Sequence, residues 1–223
     1  MNGHERTQVI LPTPQQLFTP GVTAILIILL AGYLVGALAG AWALDVLALS
    51  PPKVLHGMLW QLVTYWMVQV SPLALVLQGL IVLTFGSAIE RQWRSSSFLV
   101  LWLVTCVVCG LIWVMVYLIG GAPYTGWGAS SGCFGLIGAF GLLFRGQRLF
   151  FFLTTIEARV LALILIGIGV VLSLYPQPIG LVWVLGALVS FVYIKLLWLG
   201  RSRTTGPGPS GSSYRPNRFV DVD

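Results

Sequence analysis

Long apolar segments alternate with short polar joins along most of this sequence. Hydrophobic residues make up 57% of the chain and charged residues only 8%, whereas soluble domains carry about 25% charged residues. A helix needs about 20 apolar residues to cross the core of a bilayer. The pattern therefore predicts an all-α polytopic membrane protein, a bundle of six transmembrane helices over residues 22–44, 72–89, 98–119, 127–144, 160–175 and 178–199.

The segment 55–70 is apolar but shorter and more polar than the six predicted spans. It contains three uncharged polar residues and three aromatic ones, namely Gln61, Thr64, Gln69, Trp60, Tyr65 and Trp66. Amphipathic aromatic side chains are typical of the membrane–water interface. We expect an element that lies in the interface or enters the bilayer partway. Charge does not exclude a seventh crossing, because Arg6 and Lys53 would then exchange sides.

The basic residues follow the predicted topology, so the formal charge of +6 is not the footprint of a nucleic-acid-binding protein. All of them except Lys53 fall on one side of the membrane in the six-span arrangement. The positive-inside rule then places both termini in the cytoplasm. We expect a cytoplasmic tail at 1–21, a membrane domain at 22–199 and a disordered cytoplasmic tail at 200–223, in a bacterial inner membrane. The arginines of the second tail would meet anionic lipid or dock a partner.

Small residues are concentrated in the fourth predicted span, at 126–141. Each internal glycine costs a helix in water roughly 1 kcal/mol relative to alanine. In a membrane, small residues instead allow neighbouring helices to approach closely. We therefore predict that this helix forms the centre of the bundle. Its packing glycines, with one from the last span, are Gly128, Gly132, Gly135, Gly138 and Gly186.

Several motifs in order resemble the rhomboid superfamily of intramembrane serine proteases. Trp60 and Gln61 lie where rhomboids usually have Trp-Arg, and residues 85–91 resemble the end of their second span. Residues 128–131 followed by 134–140 resemble their fourth span, and residues 186–190 resemble the sixth. The resemblance implies a six-helix fold and a serine–histidine dyad, with a His-x-x-x-Asn pair that helps to hold the oxyanion.

Only part of that chemistry is present in this chain. Ser130 matches the nucleophile, but Ala74 and Gln78 replace the His-x-x-x-Asn pair and Trp183 replaces the base. A serine hydroxyl needs an adjacent group to take its proton, and histidine usually has the suitable pKa. We therefore expect a degenerate, inactive site, with Gln78 bonded to Ser130 or to a backbone group.

No other residue replaces the missing base convincingly. The histidines, His4 and His56, have no matching position in the family, and Lys195 lies over three helical turns beyond Trp183. Cys106 and Cys109 have redox spacing, but nothing charged lies nearby to lower a thiol pKa. We expect no metal and no cofactor.

Glu90 ends the second span, where we expect it to bond loop backbone. No predicted span carries an acidic residue or lysine near its midplane, which counts against a proton-coupled transporter.

The resemblance without the base implies a binding function. An inactive rhomboid-like protein would bind lipid and the transmembrane segments of other proteins, as a scaffold or assembly factor. The residues expected to contact partner helices are Trp60, Tyr65, Trp66 and Trp183. The alternatives are an atypical rhomboid protease that uses Ser130, and a channel or transporter, for which the spans show no polar path.

Overall fold

The computed structural model describes residues 17–120, 125–144, 148–151, 154–173 and 179–204, some of them in the last three ranges as backbone only. Nine helices and one pair of strands occur in these ranges. They are α1 (Pro20–Ala39), α2 (Ala41–Leu47), α3 (Pro51–Leu55), α4 (Gln61–Thr64), α5 (Pro72–Gln92), α6 (Ser95–Leu118), α7 (Ser130–Leu143), β1 (Arg148–Phe151), β2 (Thr154–Glu157), α8 (Ala158–Ser173) and α9 (Ile179–Thr204).

The predicted helical membrane protein is confirmed, but six spans are not. Three helices in the described ranges, α1, α5 and α6, are long and apolar enough to cross a bilayer. Helix α7 and the stretch Leu185–Leu197 of α9 are shorter apolar helices. The predicted tails 1–21 and 200–223 lie largely outside the described residues.

The first predicted span is shorter than expected because its helix breaks at Gly40. The φ angle of Gly40 is +53°, in the left-handed region that glycine enters at little cost. Its N–H still closes the last turn of α1 on the Gly36 carbonyl, at 3.0 Å. The chain then turns into α2. The apolar run 22–44 therefore forms two helices rather than one.

The uncertain segment 55–70 contains no helix long enough to cross a membrane. It holds the end of α3 and the four residues of α4, connected by turns. A helix of that length spans only about 6 Å. The loop lies against α1, where a Cβ on Gly32 would overlap the Met67 carbonyl and one on Gly36 would lie 3.0 Å from the Gln69 carbonyl. These glycines let loop backbone pack directly on a helix.

Helix α5 contains one π-helical turn, Val82–Gly86. Gln78 and Glu90 are twelve positions apart, which would put them about 120° apart around a regular helix. The extra residue that a π turn accommodates reduces this angle to roughly 20°. Both side chains are buried. The π turn thus lets one helix direct two polar residues into the bundle.

Deleting Thr84, an exposed residue of this turn, should convert α5 to a regular helix and leave both faces in register. We expect the variant to fold with a melting temperature close to that of the wild type. Deleting exposed Leu103 from α6, a regular helix, should rotate the residues after it by about 100° and prevent folding. Size-exclusion chromatography and thermal unfolding in detergent measure both. Equal loss of folding in the two variants would contradict this role for the turn.

Glu90 connects the end of α5 to the start of α1. Its carboxylate accepts hydrogen bonds from the Thr19 hydroxyl at 2.5 Å and from the backbone N–H groups of Gly21 at 2.7 Å and Val22 at 2.8 Å. These N–H groups have no partner within their own helix. Glu90 therefore caps another helix, where the sequence led us to expect loop backbone.

A short hairpin interrupts the all-α pattern between α7 and α8. Strand β1 pairs antiparallel with β2, with Arg148 opposite Glu157 and Phe151 opposite Thr154. Aromatic and β-branched residues, which favour strands, are frequent here. The hairpin is a local addition in this join, and the described chain remains mostly helical, as predicted.

Candidate functional site

Helix α7 lies at the centre of the bundle and contacts α5, α6, α8 and α9. On the side of α6 its glycines allow close approach. A Cβ on Gly132 would lie 2.8 Å from the Trp102 ring, and one on Gly135 would press into the Thr105 side chain. The side chains of Trp102 and Thr105 therefore occupy the space of the missing side chains.

On the side of α9 the contact reaches backbone. A Cβ on Gly138 would lie 2.9 Å from the Ala187 Cα, and one on Gly186 would overlap the Ser131 carbonyl. Backbone cannot move aside as a side-chain end can. Gly186 therefore fixes α9 against the first turn of α7, directly beside the predicted nucleophile position.

The start of α7 is held by groups from outside the helix. Gly128 has a φ of +91°, which favours glycine, and its N–H donates to the Tyr65 carbonyl at 3.0 Å. The N–H of Ala129 donates to Gln78 Oε1 at 3.1 Å. Contacts with helix α5 and with the loop between α3 and α5 thus fix the position of Ser130, the first residue of α7.

Two buried carboxamides lie beside Ser130. Gln69 Nε2 donates to Gln78 Oε1 at 2.7 Å, and Gln78 Nε2 donates to the Ser130 hydroxyl oxygen at 3.4 Å. A carboxamide does not accept a proton near neutral pH, so it cannot serve as the base. The structure brings Gln78 and Ser130 together; Gln69, which reaches the site from the loop, was not among the predicted site residues.

Ser131 belongs to a separate buried network. The Tyr65 hydroxyl donates to the Cys106 carbonyl at 2.8 Å and lies 2.8 Å from the Ser131 hydroxyl oxygen. A phenol has one hydrogen, so Ser131 donates to Tyr65. Burial raises the pKa of the Tyr65 phenol well above its usual value, which keeps the group neutral. This network joins the loop to α6 and α7.

Replacing Tyr65 with phenylalanine should remove both bonds without changing the ring. The buried Ser131 hydroxyl and Cys106 carbonyl would lose a partner, which typically costs about 1–3 kcal/mol. We expect a lower melting temperature in detergent. Tyr33→Phe is the matched control, because the described part of the chain shows no hydrogen bond to that hydroxyl. Equal melting temperatures for the two variants would contradict the role given to Tyr65.

A cavity of about 190 Å³ opens at the start of α7. Its lining includes polar residues, among them Gln69, Gln78 and Ser130, and apolar residues such as Val70 and Trp127. Ala74, one of the site positions expected from the sequence, also lines it. None of the described residues that form its wall carries a charge. The predicted positions Ser130, Gln78 and Ala74 therefore converge on one neutral pocket.

The residues considered as replacement bases do not reach this cavity. The His56 ring Nδ1 lies 2.6 Å from the Pro52 carbonyl in an exposed turn. Lys195 is exposed, with its ammonium 5.7 Å from the Phe191 ring centre. His4 and the side chain of Trp183 lie outside the described residues. Among the described residues that line the cavity there is no histidine, lysine or carboxylate.

The aromatic residues expected to contact a partner are divided by their burial. Tyr65 and Trp66 are only 4% and 2% exposed, and Trp66 packs edge-to-face on Trp102 at 5.6 Å. Both are core residues, although Tyr65 also borders the cavity described above. Trp60 is 48% exposed and Trp127 is 45% exposed. Trp127 was not among the contact residues expected from the sequence.

Comparison with known families matches residues 23–210 to a family described as eukaryotic integral membrane protein (DUF1751). No curated protein matches the chain. The expected location in a bacterial inner membrane was wrong, because the family is eukaryotic. The match covers most of the sequence, and the chain therefore belongs to the eukaryotic integral membrane protein family DUF1751.

Proposed function

We propose that this protein is a rhomboid-like membrane protein without protease activity that binds transmembrane helices of other membrane proteins. The observation that carries the proposal is the environment of Ser130. Its hydroxyl contacts a carboxamide in a cavity whose described lining has no histidine, lysine or carboxylate. Removing the base of such a site typically lowers the rate by about 10⁴ or more. The site retains a binding cavity and lacks the means to activate a nucleophile.

The surface beside the cavity suits a helical partner in the bilayer. The outward face of α5 exposes Leu73, Leu77 and Leu80, while Ala74 and Gln78 of the same helix line the cavity. A helix that packs along α5 would reach the cavity from the lipid. The positive-inside rule would place the cavity on the non-cytoplasmic side and both termini in the cytoplasm.

A protease that uses Ser130 is the second candidate. Ser130 is partly exposed at the first turn of α7 and lines the cavity, as a nucleophile would. This candidate requires a base that reaches the cavity when a substrate binds. Reaction of Ser130 with a serine-directed reagent distinguishes the two functions.

Purification of the tagged full-length protein from its own membranes in mild detergent tests the proposal. We expect an integral membrane protein to copurify in a fixed ratio. Trp127→Ala, at the cavity wall, should reduce its yield severalfold. Trp42→Ala, which removes an exposed tryptophan that does not line the cavity, should not. Purification as a monomer with no membrane partner would contradict the proposal.

A further inference from the structure

The cavity beside Ser130 is the size of one side chain. Its volume of about 190 Å³ is slightly larger than the roughly 150 Å³ cavity that holds one benzene ring in another protein. An α-helix with its side chains is about 10 Å wide and cannot enter. A partner helix could therefore place one side chain in the cavity while its body stays outside.

The lining selects a neutral group that both donates and accepts hydrogen bonds. Among the described residues, no group donates to Gln69 Oε1, and none accepts the hydrogen of the Ser130 hydroxyl. A charged side chain would lose its hydration with no opposite charge in the wall. An apolar one would leave both groups unpaired. A carboxamide offers an N–H to Gln69 and a C=O to Ser130.

The position of the cavity along α5 indicates how such a group would arrive. Ala74 and Gln78 line the cavity, and Leu73 and Leu77, next to them in sequence, are exposed on the outer face. The cavity is thus adjacent to an apolar helix face of the kind that meets lipid. In lipid, asparagine and glutamine side chains hydrogen-bond across helices.

We propose that this cavity receives a single asparagine or glutamine side chain from a partner transmembrane helix that packs along α5. The proposal rests on the function proposed above and specifies the partner. Gln69 and Ser130 bond the inserted carboxamide, and Gln78 holds both of them in place. The partner is a helix with one carboxamide at the depth of the α5 start.

Energy transfer between the labelled full-length protein and labelled synthetic peptides in nanodiscs tests this. One peptide is a single leucine–alanine span with an asparagine at the depth of the cavity, and the other has leucine there. We expect the asparagine peptide to bind about fivefold more tightly or better, as interhelical hydrogen bonds in membranes indicate. Gln69→Leu should abolish the preference, whereas Thr84→Leu, which removes an exposed hydroxyl from α5, should keep it.

A second variant covers the case in which Gln69→Leu does not fold. Ala74→Leu fills the cavity and leaves both carboxamides, and it should also abolish the preference. Persistence of the preference in Ala74→Leu, or equal binding of the two peptides, would overturn the inference but not helix binding. Failure of both peptides to bind would count against helix binding as well. Displacement of the asparagine peptide by ceramide, an amide-containing lipid, would assign the cavity to lipid and overturn the inference.

Discussion

Replacing Gly186 with alanine is expected to separate α9 from α7 and to lower the free energy of unfolding by about 3 kcal/mol. The added Cβ would overlap the Ser131 carbonyl and lie 3.4 Å from the Gly135 nitrogen. Both are backbone atoms of α7, so no side-chain rotation relieves the overlap. The two helices must move apart, which also disturbs the start of α7 at Ser130.

Thermal unfolding in detergent with a thiol-reactive dye measures this loss, because the three cysteines, Cys106, Cys109 and Cys133, are buried in the folded protein. Gly167→Ala is the matched control, since no atom of the described residues lies within 4 Å of a Cβ at that position in α8. We expect the control to melt at or slightly above the wild-type temperature, because alanine favours helix. Equal melting of Gly186→Ala and Gly167→Ala would contradict the close packing of α7 and α9.

Replacing Glu90 with alanine is expected to release the start of α1, with a loss of about 3 kcal/mol in the free energy of unfolding. Hydrogen bonds to charged groups contribute about 1.5–3 kcal/mol each. The substitution leaves the N–H groups of Gly21 and Val22 and the Thr19 hydroxyl without this partner. Glu90→Gln, which keeps an acceptor oxygen, should cost less than Glu90→Ala.

The same thiol-dye assay measures this effect, and Asp45→Asn is the control. Asp45 forms an ion pair with Lys53 at the surface, and exposed pairs of this kind contribute at most about 1 kcal/mol. We expect little change in the control. A loss in Asp45→Asn as large as that in Glu90→Ala would show that Glu90 does not hold α1 in the way its hydrogen bonds indicate.

The long apolar segments were sufficient to predict a helical membrane protein, and α5 and α6 lie within two or three residues of their predicted spans. Breaks and irregular turns within the helices were harder to predict. Gly40 lies inside the first predicted span, 22–44, although its left-handed φ ends the helix there. The π turn of α5 leaves no clear mark in composition. Its effect is visible only once Gln78 and Glu90 are found on one face.

Residues within one element of the site could be predicted, whereas residues from loops could not. The resemblance to rhomboid motifs indicated Ser130 and Gln78, and the structure places Gln78 Nε2 3.4 Å from the Ser130 hydroxyl oxygen. Gln69 is in an irregular loop, where no helical period indicates which way a side chain points. For the same reason Tyr65 and Trp66 were expected at a partner surface. Their burial depends on packing against α6. The sequence around Tyr65 and Trp66 does not indicate how close α6 lies.

Labelling of the full-length protein with a serine-directed fluorophosphonate most directly tests whether the site binds rather than cleaves. An active rhomboid-type dyad, with its base beside the nucleophile, reacts with such a reagent. With a carboxamide beside Ser130 instead, we expect no labelling above that of a Ser130→Ala control, in membranes or in mild detergent. Labelling of the wild type that Ser130→Ala abolishes would contradict the account, because it would show that a base activates this serine.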